Sequence, residues 1–263
     1  MEILVCAKRV PDTSENEIQL NGAGNDIERD DLVYSINEPD NYAVEEALQI
    51  AARTGGNVTV VTVGGEEDEE ILRREMAMGA KSGVLISDDA FQGSDGRGIA
   101  AILRAFVQKG QYDLILTGVQ AEDGCAQVGG MLAAMLDYPF ASLVTSIEAM
   151  DGHQLHITRE IEGGNKEISA IDLPCVLSIQ TGINEPRYVG MRGIRQVASV
   201  PIPTLRAADL AVEPDAVGAL AAKVRRVDYF APPAGKGAEI LTGKREEVVD
   251  KLMELLKAKG GLN

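Results

Sequence analysis

The chain has 263 residues, is 45% hydrophobic and 4% aromatic, lacks tryptophan, and carries a formal net charge of −16. This length and apolar content suffice for one large domain or for a domain with an extension. The acidic balance argues against a nucleic-acid binder and against an anionic membrane surface, and no apolar run reaches the roughly 20 residues that a membrane-spanning helix needs.

Strands and helices alternate through the first half of the chain. An apolar run without a basic leader predicts a first strand over residues 2–7 rather than a signal peptide. Further apolar, often β-branched runs predict strands over residues 57–64, 83–87 and 112–117, and helical spacing predicts helices over residues 39–53, 68–78 and 96–109. This alternation predicts right-handed crossovers and a parallel, Rossmann-like α/β sheet.

Local signals mark where several of these elements begin and end. Asp40 or Asn41 is suited to cap the first helix, and Gly79 is placed to end the second. Ser94 and Asp95 precede the third helix. The glycine- and asparagine-rich residues 21–25 predict a turn or hairpin tip.

The pattern changes in the second half of the chain. Alternating runs predict antiparallel strands over residues 143–148, 154–162 and 166–171, and a fully apolar run predicts a central strand over residues 174–180. Residues 200–236 are proline-rich and predict an extended arm, and residues 244–259 predict an amphipathic terminal helix. We therefore expect an α/β domain over residues 1–199 and an arm with a helix over residues 200–263, which suits a subunit that wraps a partner.

The most informative segment is residues 117–130, TGVQAEDGCAQVGG, between a predicted strand and a helix-forming run. A glycine-rich turn here presents backbone N–H groups and the positive end of a helix dipole at the carboxyl edge of the sheet, where both attract a phosphate. Gly64 and Gly65 end another predicted strand at that edge. We expect a nucleotide site, against the alternative of a glycine-rich turn that binds nothing.

Individual residues of this segment support the nucleotide interpretation. Asp123 and Gln127 offer an acceptor and an amide for a sugar or a base, and Gly124 and Gly129 allow close backbone approach. Cys125 precedes a predicted helix, where a thiol can become reactive, although such a cysteine more often packs against the loop or a ligand.

Other familiar site types are missing from the sequence. There is no GxxxxGK[ST] phosphate loop, no dehydrogenase GxGxxG fingerprint after a strand, and no GxSxG elbow. His153 and His156 would point to opposite faces of a strand, and the three cysteines form no CxxC pair, so we expect no metal site and a reducing cytoplasm. A nucleotide site without a general base or nucleophile favours carriage of a redox cofactor over bond-making.

Seven short segments along the chain are each weak signals alone but specific as an ordered set. They are VCAKRVPD at residues 5–12, NEPDNYAVEEA at 37–47, AMGA at 77–80, TGVQAED at 117–123, REIEGG at 159–164, LPCVL at 173–177 and NEPRY at 184–188. In these segments and their order, the sequence resembles the beta subunit of electron transfer flavoproteins over essentially its full length. The resemblance implies the adenine nucleotide alpha hydrolase-like version of the Rossmann-like fold, and an electron-carrying subunit rather than a stand-alone enzyme.

The resemblance also implies a partner subunit and bound cofactors. In the implied heterodimer, an alpha subunit holds most of a redox-active FAD. The beta subunit has a site of its own for AMP or, in electron-bifurcating members, for a second FAD. The residues that match the family's own-site lining are Cys6, Asn37, Val63, Asp123, Gly124, Cys125, Gln127, Val128 and Gly129. The Gln-Val-Gly turn favours FAD over AMP, although the loop is one residue shorter than the family pattern and Gly130 replaces a proline.

Residues 184–197 match the family's partner-recognition loop. The resemblance implies that Pro186, Arg187, Tyr188 and Met191 contact a flavin dehydrogenase such as an acyl-CoA dehydrogenase, with Met191 as the apolar anchor. Electrons would pass from that donor to a quinone-linked or flavoprotein acceptor. The alternative for the loop is an ordinary basic surface segment.

Two other function classes remain open on the sequence alone. An adenine-nucleotide sensor resembling universal stress proteins would share the sheet, although the long arm and terminal helix disfavour it. An enzyme of the ATP-pyrophosphatase type would need an SGGxDS-like loop after the first strand, where KRVP stands instead.

Overall fold

The computed structural model describes residues 1–121, 124–151, 153–224, 226–233, 235 and 237–261. Within them lie eleven strands and eight α-helices. The strands are β1 (Glu2–Cys6), β2 (Arg9–Pro11), β3 (Tyr34–Ile36), β4 (Asn57–Val63), β5 (Ser82–Ile86), β6 (Leu114–Gly118), β7 (Phe140–Asp151), β8 (Gln154–Ile161), β9 (Asn165–Asp172), β10 (Cys175–Ile179) and β11 (Thr204–Leu205). The helices are α1 (Glu38–Thr54), α2 (Glu69–Met78), α3 (Gly96–Val107), α4 (Val128–Leu136), α5 (Met191–Val197), α6 (Ala207–Leu210), α7 (Gly218–Ala221) and α8 (Arg245–Ala258).

Nine of these strands form one sheet in the order β11-β5-β4-β1-β6-β10-β7-β8-β9. The strands from β11 to β7 pair in parallel. Strand β8 then pairs antiparallel with β7, and β9 pairs antiparallel with β8. The predicted parallel α/β sheet with an antiparallel section is confirmed. Strands β2 and β3 form a separate antiparallel pair whose three-residue members are too short to produce an alternating pattern.

Helices cover both faces of the parallel strands, and the alternation of side chains explains why. Within β1, Ile3 and Val5 belong to a core cluster with α1 and α2, whereas Leu4 belongs to a cluster with α3 and α4. Strand β10 is buried at every position, as expected for a central parallel strand.

Two of the predicted helix boundaries are confirmed. Gly79, at φ 136°, ends α2, and Asp95 caps α3 by accepting a hydrogen bond from the Gly98 amide. The predicted cap of α1 is wrong: Asn37 occupies the N-cap, without a side-chain capping bond, and Asp40 lies in the first turn.

The chain divides into two compact units, residues 1–19 with 28–227, and residues 20–27 with 228–263. The first unit therefore runs past the boundary expected at residue 199. Strand β11 pairs with β5, and Leu210 and Val217 are buried among residues of α3 and β5. A two-residue strand and isolated apolar positions leave no periodic signal, so the sequence presents this stretch as an arm.

The second unit contains a short turn and α8. Leu20 and Ile27 form an antiparallel bridge around residues 21–25, which confirms the predicted turn. Helix α8 confirms the predicted terminal helix, and its Val249, Leu252, Met253 and Leu256 are 38–50% exposed. Among the described residues, no helix combines the length and apolar character needed to cross a membrane.

Candidate functional site

The predicted nucleotide site falls at the carboxyl edge of β4, β1 and β6, three adjacent parallel strands. Cys6, the last residue of β1, lies opposite Val61 of β4 and Thr117 of β6. Val63 and the loop after Gly118 continue these strands beyond Cys6. The edge therefore brings together residues that are far apart in the sequence, as expected of a ligand site in an open α/β sheet.

Asn37 is buried at this edge and joins two of its loops. Its backbone N–H donates to Lys8 O at 2.8 Å, and its Nδ2 donates to Gln120 O at 2.9 Å. Asn37 is only 1% exposed, and its Oδ1 has no hydrogen-bond partner among the described residues. A buried acceptor without a donor is costly, so this oxygen is suited to receive a ligand N–H or O–H.

Asp40 fastens the same loops from the first turn of α1. Its Oδ1 accepts from the Gly118 amide at 2.8 Å, and its Oδ2 accepts from the Lys8 amide at 2.9 Å. Burial raises the pKa of Asp40 to about 7, against the opposing effect of these hydrogen bonds. A Cβ at Gly118 would lie 2.4 Å from Asp40 Oδ1, so the contact requires glycine at that position. The Gly118 amide is thus used within the protein and is unavailable to a ligand.

The glycine pair after β4 also surrounds a carboxylate of the chain itself. The Gly65 amide donates to Asp68 Oδ2 at 2.9 Å, and a Cβ at Gly64 would clash with the same oxygen. Burial raises the pKa of Asp68, and Arg9 approaches its Oδ1 at 3.8 Å. The Arg9 guanidinium also lies 3.9 Å from the centre of the Tyr34 ring. These glycines lie at the predicted edge of the sheet, but the Gly65 amide donates its hydrogen bond to Asp68 and is not available to a ligand.

The first three amides of α4 have no acceptor among the described residues. Helix α4 starts after Gln127, which makes no side-chain capping bond, and the amides of Val128, Gly129 and Gly130 donate to no described residue. These N–H groups and the helix dipole form an anion-binding end. Gly124 and Cys125 lie in the preceding turn, with Cys125 exposed, whereas Asp123 lies outside the described residues.

Glycine at position 129 lets α4 approach the sheet closely. A Cβ there would lie 2.6 Å from Ser178 Oγ and 2.9 Å from Thr117 Oγ1, two hydroxyls that are hydrogen-bonded to each other at 2.9 Å.

Burial and the negative charge of Asp40 raise the pKa of Cys6 far above its ordinary value. The Cys6 thiol therefore stays protonated at neutral pH and can line a site but not attack a substrate.

The predicted partner-recognition segment, residues 184–197, lies in the same unit and ends in α5. Tyr188 and Met191 are 93% and 65% exposed, and Pro186 is partly buried. Arg187 is held within the chain, because its guanidinium pairs with Glu45 of α1. The segment therefore displays two large apolar side chains beside an anchored arginine.

The contacts made by Asp40, Glu45, Asp68 and Gly118 were not predicted from the sequence, in which Asp40 is expected only as a helix cap and Gly118 only as a loop glycine. Asp40 and Glu45 carried a usable signal, since each stands next to the apolar face of α1 where a charged side chain needs a partner. Those partners come from loops distant in the chain, so the sequence could not identify them.

These features define a Rossmann-like α/β protein whose loop edge is of the kind that binds nucleotides. The family described as the electron transfer flavoprotein domain matches residues 25–210. Electron transfer flavoprotein subunit beta of Methylophilus methylotrophus is 34% identical over 97% of this chain and 98% of its own length. The corresponding subunit of Bacillus subtilis is 34% identical over 98% of each chain, and caffeyl-CoA reductase-Etf complex subunit CarD of Acetobacterium woodii is 37% identical over 98% and 99%.

The chain therefore belongs to the electron transfer flavoprotein family, and it is similar along its length to the family's beta subunits. Its function is electron transfer, as the resemblance implied, and the nucleotide-sensor alternative is not favoured.

Proposed function

We propose that this chain pairs with an electron transfer flavoprotein alpha subunit and holds an adenine nucleotide at the carboxyl edge of β4, β1 and β6. The observation that carries the proposal is the buried Asn37 Oδ1, which has no hydrogen-bond partner among the described residues. Nδ2 of the same side chain donates to Gln120 O, in the loop that leads to the first amides of α4. A hydrogen-bond acceptor suits the base or ribose of an adenylate, and an anion-binding helix end suits its phosphate.

Each residue of the proposed site has a specific role. The amides of Val128 and Gly129, with Gln127 preceding them, would bind phosphate, and Asn37 would accept a hydrogen bond from the nucleoside. Cys6 and Val63 would line the strand ends, and Gly124 and Cys125 the turn, together with Asp123.

The donor set fits FAD and AMP alike, because both share the adenylate group. The Gln-Val-Gly turn leads us to favour FAD in this site, with AMP as the alternative and with electron bifurcation as the consequence of a second flavin. When bound, FAD would supply the electron-carrying ring, and the residues of this chain would hold its adenylate end. The other FAD would be shared with the alpha subunit.

The partners follow from the exposed surfaces. Tyr188 and Met191 would contact a flavin dehydrogenase such as an acyl-CoA dehydrogenase, and the arm with α8 would wrap the alpha subunit. A quinone-linked or flavoprotein acceptor would take the electrons onward. The scattered, free cysteines favour the cytoplasm as the location.

The test is to co-express the chain with its alpha subunit and to count the FAD and AMP released per heterodimer. We expect two FAD, whereas one FAD with one AMP would establish AMP as the ligand of this site. In the Asn37→Ser variant, which shortens the acceptor side chain, the own-site nucleotide should fall below half occupancy while the shared FAD remains. Asp113→Asn, which changes a carboxylate that accepts from the Glu2 amide at the opposite edge, is the control. A heterodimer without any adenine nucleotide beyond the shared FAD would overturn the proposal.

A further inference from the structure

The segment that displays Tyr188 and Met191 is fastened to the body of the first unit by side chains of α1 and α2. The strongest contact joins Arg187 to Glu45 of α1. Arg187 Nε donates to Glu45 Oε2 at 2.7 Å, and Arg187 Nη2 donates to Glu45 Oε1 at 3.0 Å. The backbone N–H of Arg187 donates to the same carboxylate at 3.2 Å. A bidentate guanidinium–carboxylate pair fixes direction as well as distance.

The Glu45 carboxylate is buried and ionised, as a strong ion pair with Arg187 requires. Its side chain is 5% exposed, whereas the Arg187 side chain is 46% exposed, so the carboxylate is the buried partner. Burial would raise the pKa of Glu45, but hydrogen bonds from Arg187 and Gln49 outweigh burial and lower it. The Glu45 carboxylate is therefore ionised at neutral pH and forms an ion pair with Arg187.

Two further contacts fasten the ends of the segment. Asn184 Nδ2 donates to Tyr42 O and to Glu46 Oε2, both at 3.1 Å. At the other end, Arg73 Nη1 donates to Val197 O at 2.8 Å and to Ala198 O at 3.0 Å, which satisfies carbonyls at the end of α5. Tyr188 and Met191 lie between these fixed ends and remain exposed.

Helix α1 also starts at the nucleotide edge. Asn37 occupies its N-cap position, and Asp40 in the first turn accepts hydrogen bonds from two of the edge loops. Glu45 follows Asp40 by about 7.5 Å along the helix axis at the usual rise per residue. The recognition segment is therefore attached to the same rigid element that forms part of the proposed nucleotide site.

From this geometry we propose that Glu45 is a positioning residue for electron transfer, which holds Arg187 so that Tyr188 and Met191 are presented in one orientation to the partner flavoprotein. The inference rests on the proposed function of the segment. Preorganisation of two apolar anchors lowers the ordering cost of docking, so its loss should weaken the encounter and leave the bound flavin unchanged.

The test uses the heterodimer with Glu45→Gln, reduced by its donor dehydrogenase at varied donor concentration. We expect the half-saturating donor concentration to rise about three- to tenfold, with the maximal rate and the flavin content within about twofold of the parent. Glu167→Gln is the control for loss of an ion-paired carboxylate elsewhere, because Glu167 accepts one hydrogen bond from Arg159 at 3.1 Å between β8 and β9 and is more exposed than Glu45. Amide hydrogen exchange of residues 184–197 should accelerate in Glu45→Gln and not in the control.

Two further variants separate the possible failures. Arg187→Gln should reproduce the effect of Glu45→Gln, and the double variant should be no worse than either single variant, because all three break one contact. Met191→Ala removes an anchor and tests the segment itself. A normal donor dependence in Met191→Ala would reject the proposed function of the segment. An impaired Met191→Ala together with a normal Glu45→Gln would reject only the positioning role of Glu45.

Discussion

Glu75 is a buried acid without a hydrogen-bond partner among the described residues, and it lowers the stability of the fold at alkaline pH. The side chain is fully buried in α2, and neither carboxylate oxygen has a hydrogen-bond partner among the described residues. Burial raises the pKa of Glu75 from 4.5 to about 8; the negative charge of Asp40 adds to this effect and Arg74 opposes it. At neutral pH the folded protein therefore keeps this carboxyl protonated.

The raised pKa gives the stability a definite dependence on pH. Below pH 4.5 both the folded and the unfolded chain are protonated at Glu75, and the residue has no effect on the balance. Between pH 4.5 and about 8 only the unfolded chain releases the proton, so this residue lowers the free energy of unfolding progressively. Above pH 8 the full cost is present.

We predict that Glu75→Met, which replaces the carboxyl by an apolar group of similar size, stabilises the protein at alkaline pH. The free energy of unfolding in urea should increase by about 1–3 kcal/mol at pH 8.5 and by much less at pH 5. Glu70→Met, an exposed position on the same helix, should show no such difference between the two pH values. An equal gain at both pH values, or a loss at pH 8.5, would contradict the assignment of a buried, unpartnered acid.

At the scale of elements, the close approach of α4 to β6 and β10 positions the proposed phosphate-binding amides. Gly129 makes this approach possible, because a side chain there would meet the Thr117 and Ser178 hydroxyls. The amides at the start of α4 thus lie directly above two strand ends. This arrangement joins a packing requirement to the proposed binding of a nucleotide.

We predict that Gly129→Ala displaces the amino end of α4 and weakens the own-site nucleotide by about tenfold, equivalent to about 1.4 kcal/mol, within the range of overpacking costs. Nucleotide released from the purified heterodimer after dialysis is the measurement. Gly130→Ala is the neighbouring control, because a Cβ at that position meets the Phe140 ring at an ordinary 3.4 Å. Equal nucleotide retention in both variants would show that α4 does not form the site.

The elements also show what could be predicted from the sequence. Strand β4 and helices α2 and α3 have strong local periodicity, so their positions followed directly from the residues. The loop of residues 117–130 was identified for its glycines, whereas the actual use of Gly118 and Gly65 was not. The Gly118 amide binds Asp40, and no local pattern records a contact between a helix and a loop 78 residues away. The Gly65 amide binds Asp68 only three residues further on, in a contact that the glycine pattern alone does not indicate.

The whole molecule combines a complete α/β unit with a second unit that exposes apolar side chains. In the first unit, Asp95 accepts hydrogen bonds from the Lys223 and Val224 amides at 2.6 and 3.1 Å, so the chain is fastened almost to the end of that unit. In the second unit, Val249, Leu252, Met253 and Leu256 form a stripe at helical spacing along α8. An exposed stripe of this kind is expected to be covered in the functional assembly.

We predict that Leu252→Glu weakens the heterodimer, because burial of a leucine against the alpha subunit contributes about 1.5–3 kcal/mol. The dissociation constant, measured by sedimentation at varied concentration, should rise by about tenfold or more, since 1.4 kcal/mol corresponds to a factor of ten.

Lys251→Glu introduces the same side chain at the adjacent position, outside the apolar stripe. It makes the net charge of −16 more negative by two, against one for Leu252→Glu, so an effect of charge alone would be larger in this control. The urea unfolding of the first unit should be unchanged in both variants, because residues 228–263 belong to the second unit. A Leu252→Glu heterodimer as tight as the Lys251→Glu heterodimer would mean that α8 is not covered by the alpha subunit, and the wrapping role of the arm would then be rejected.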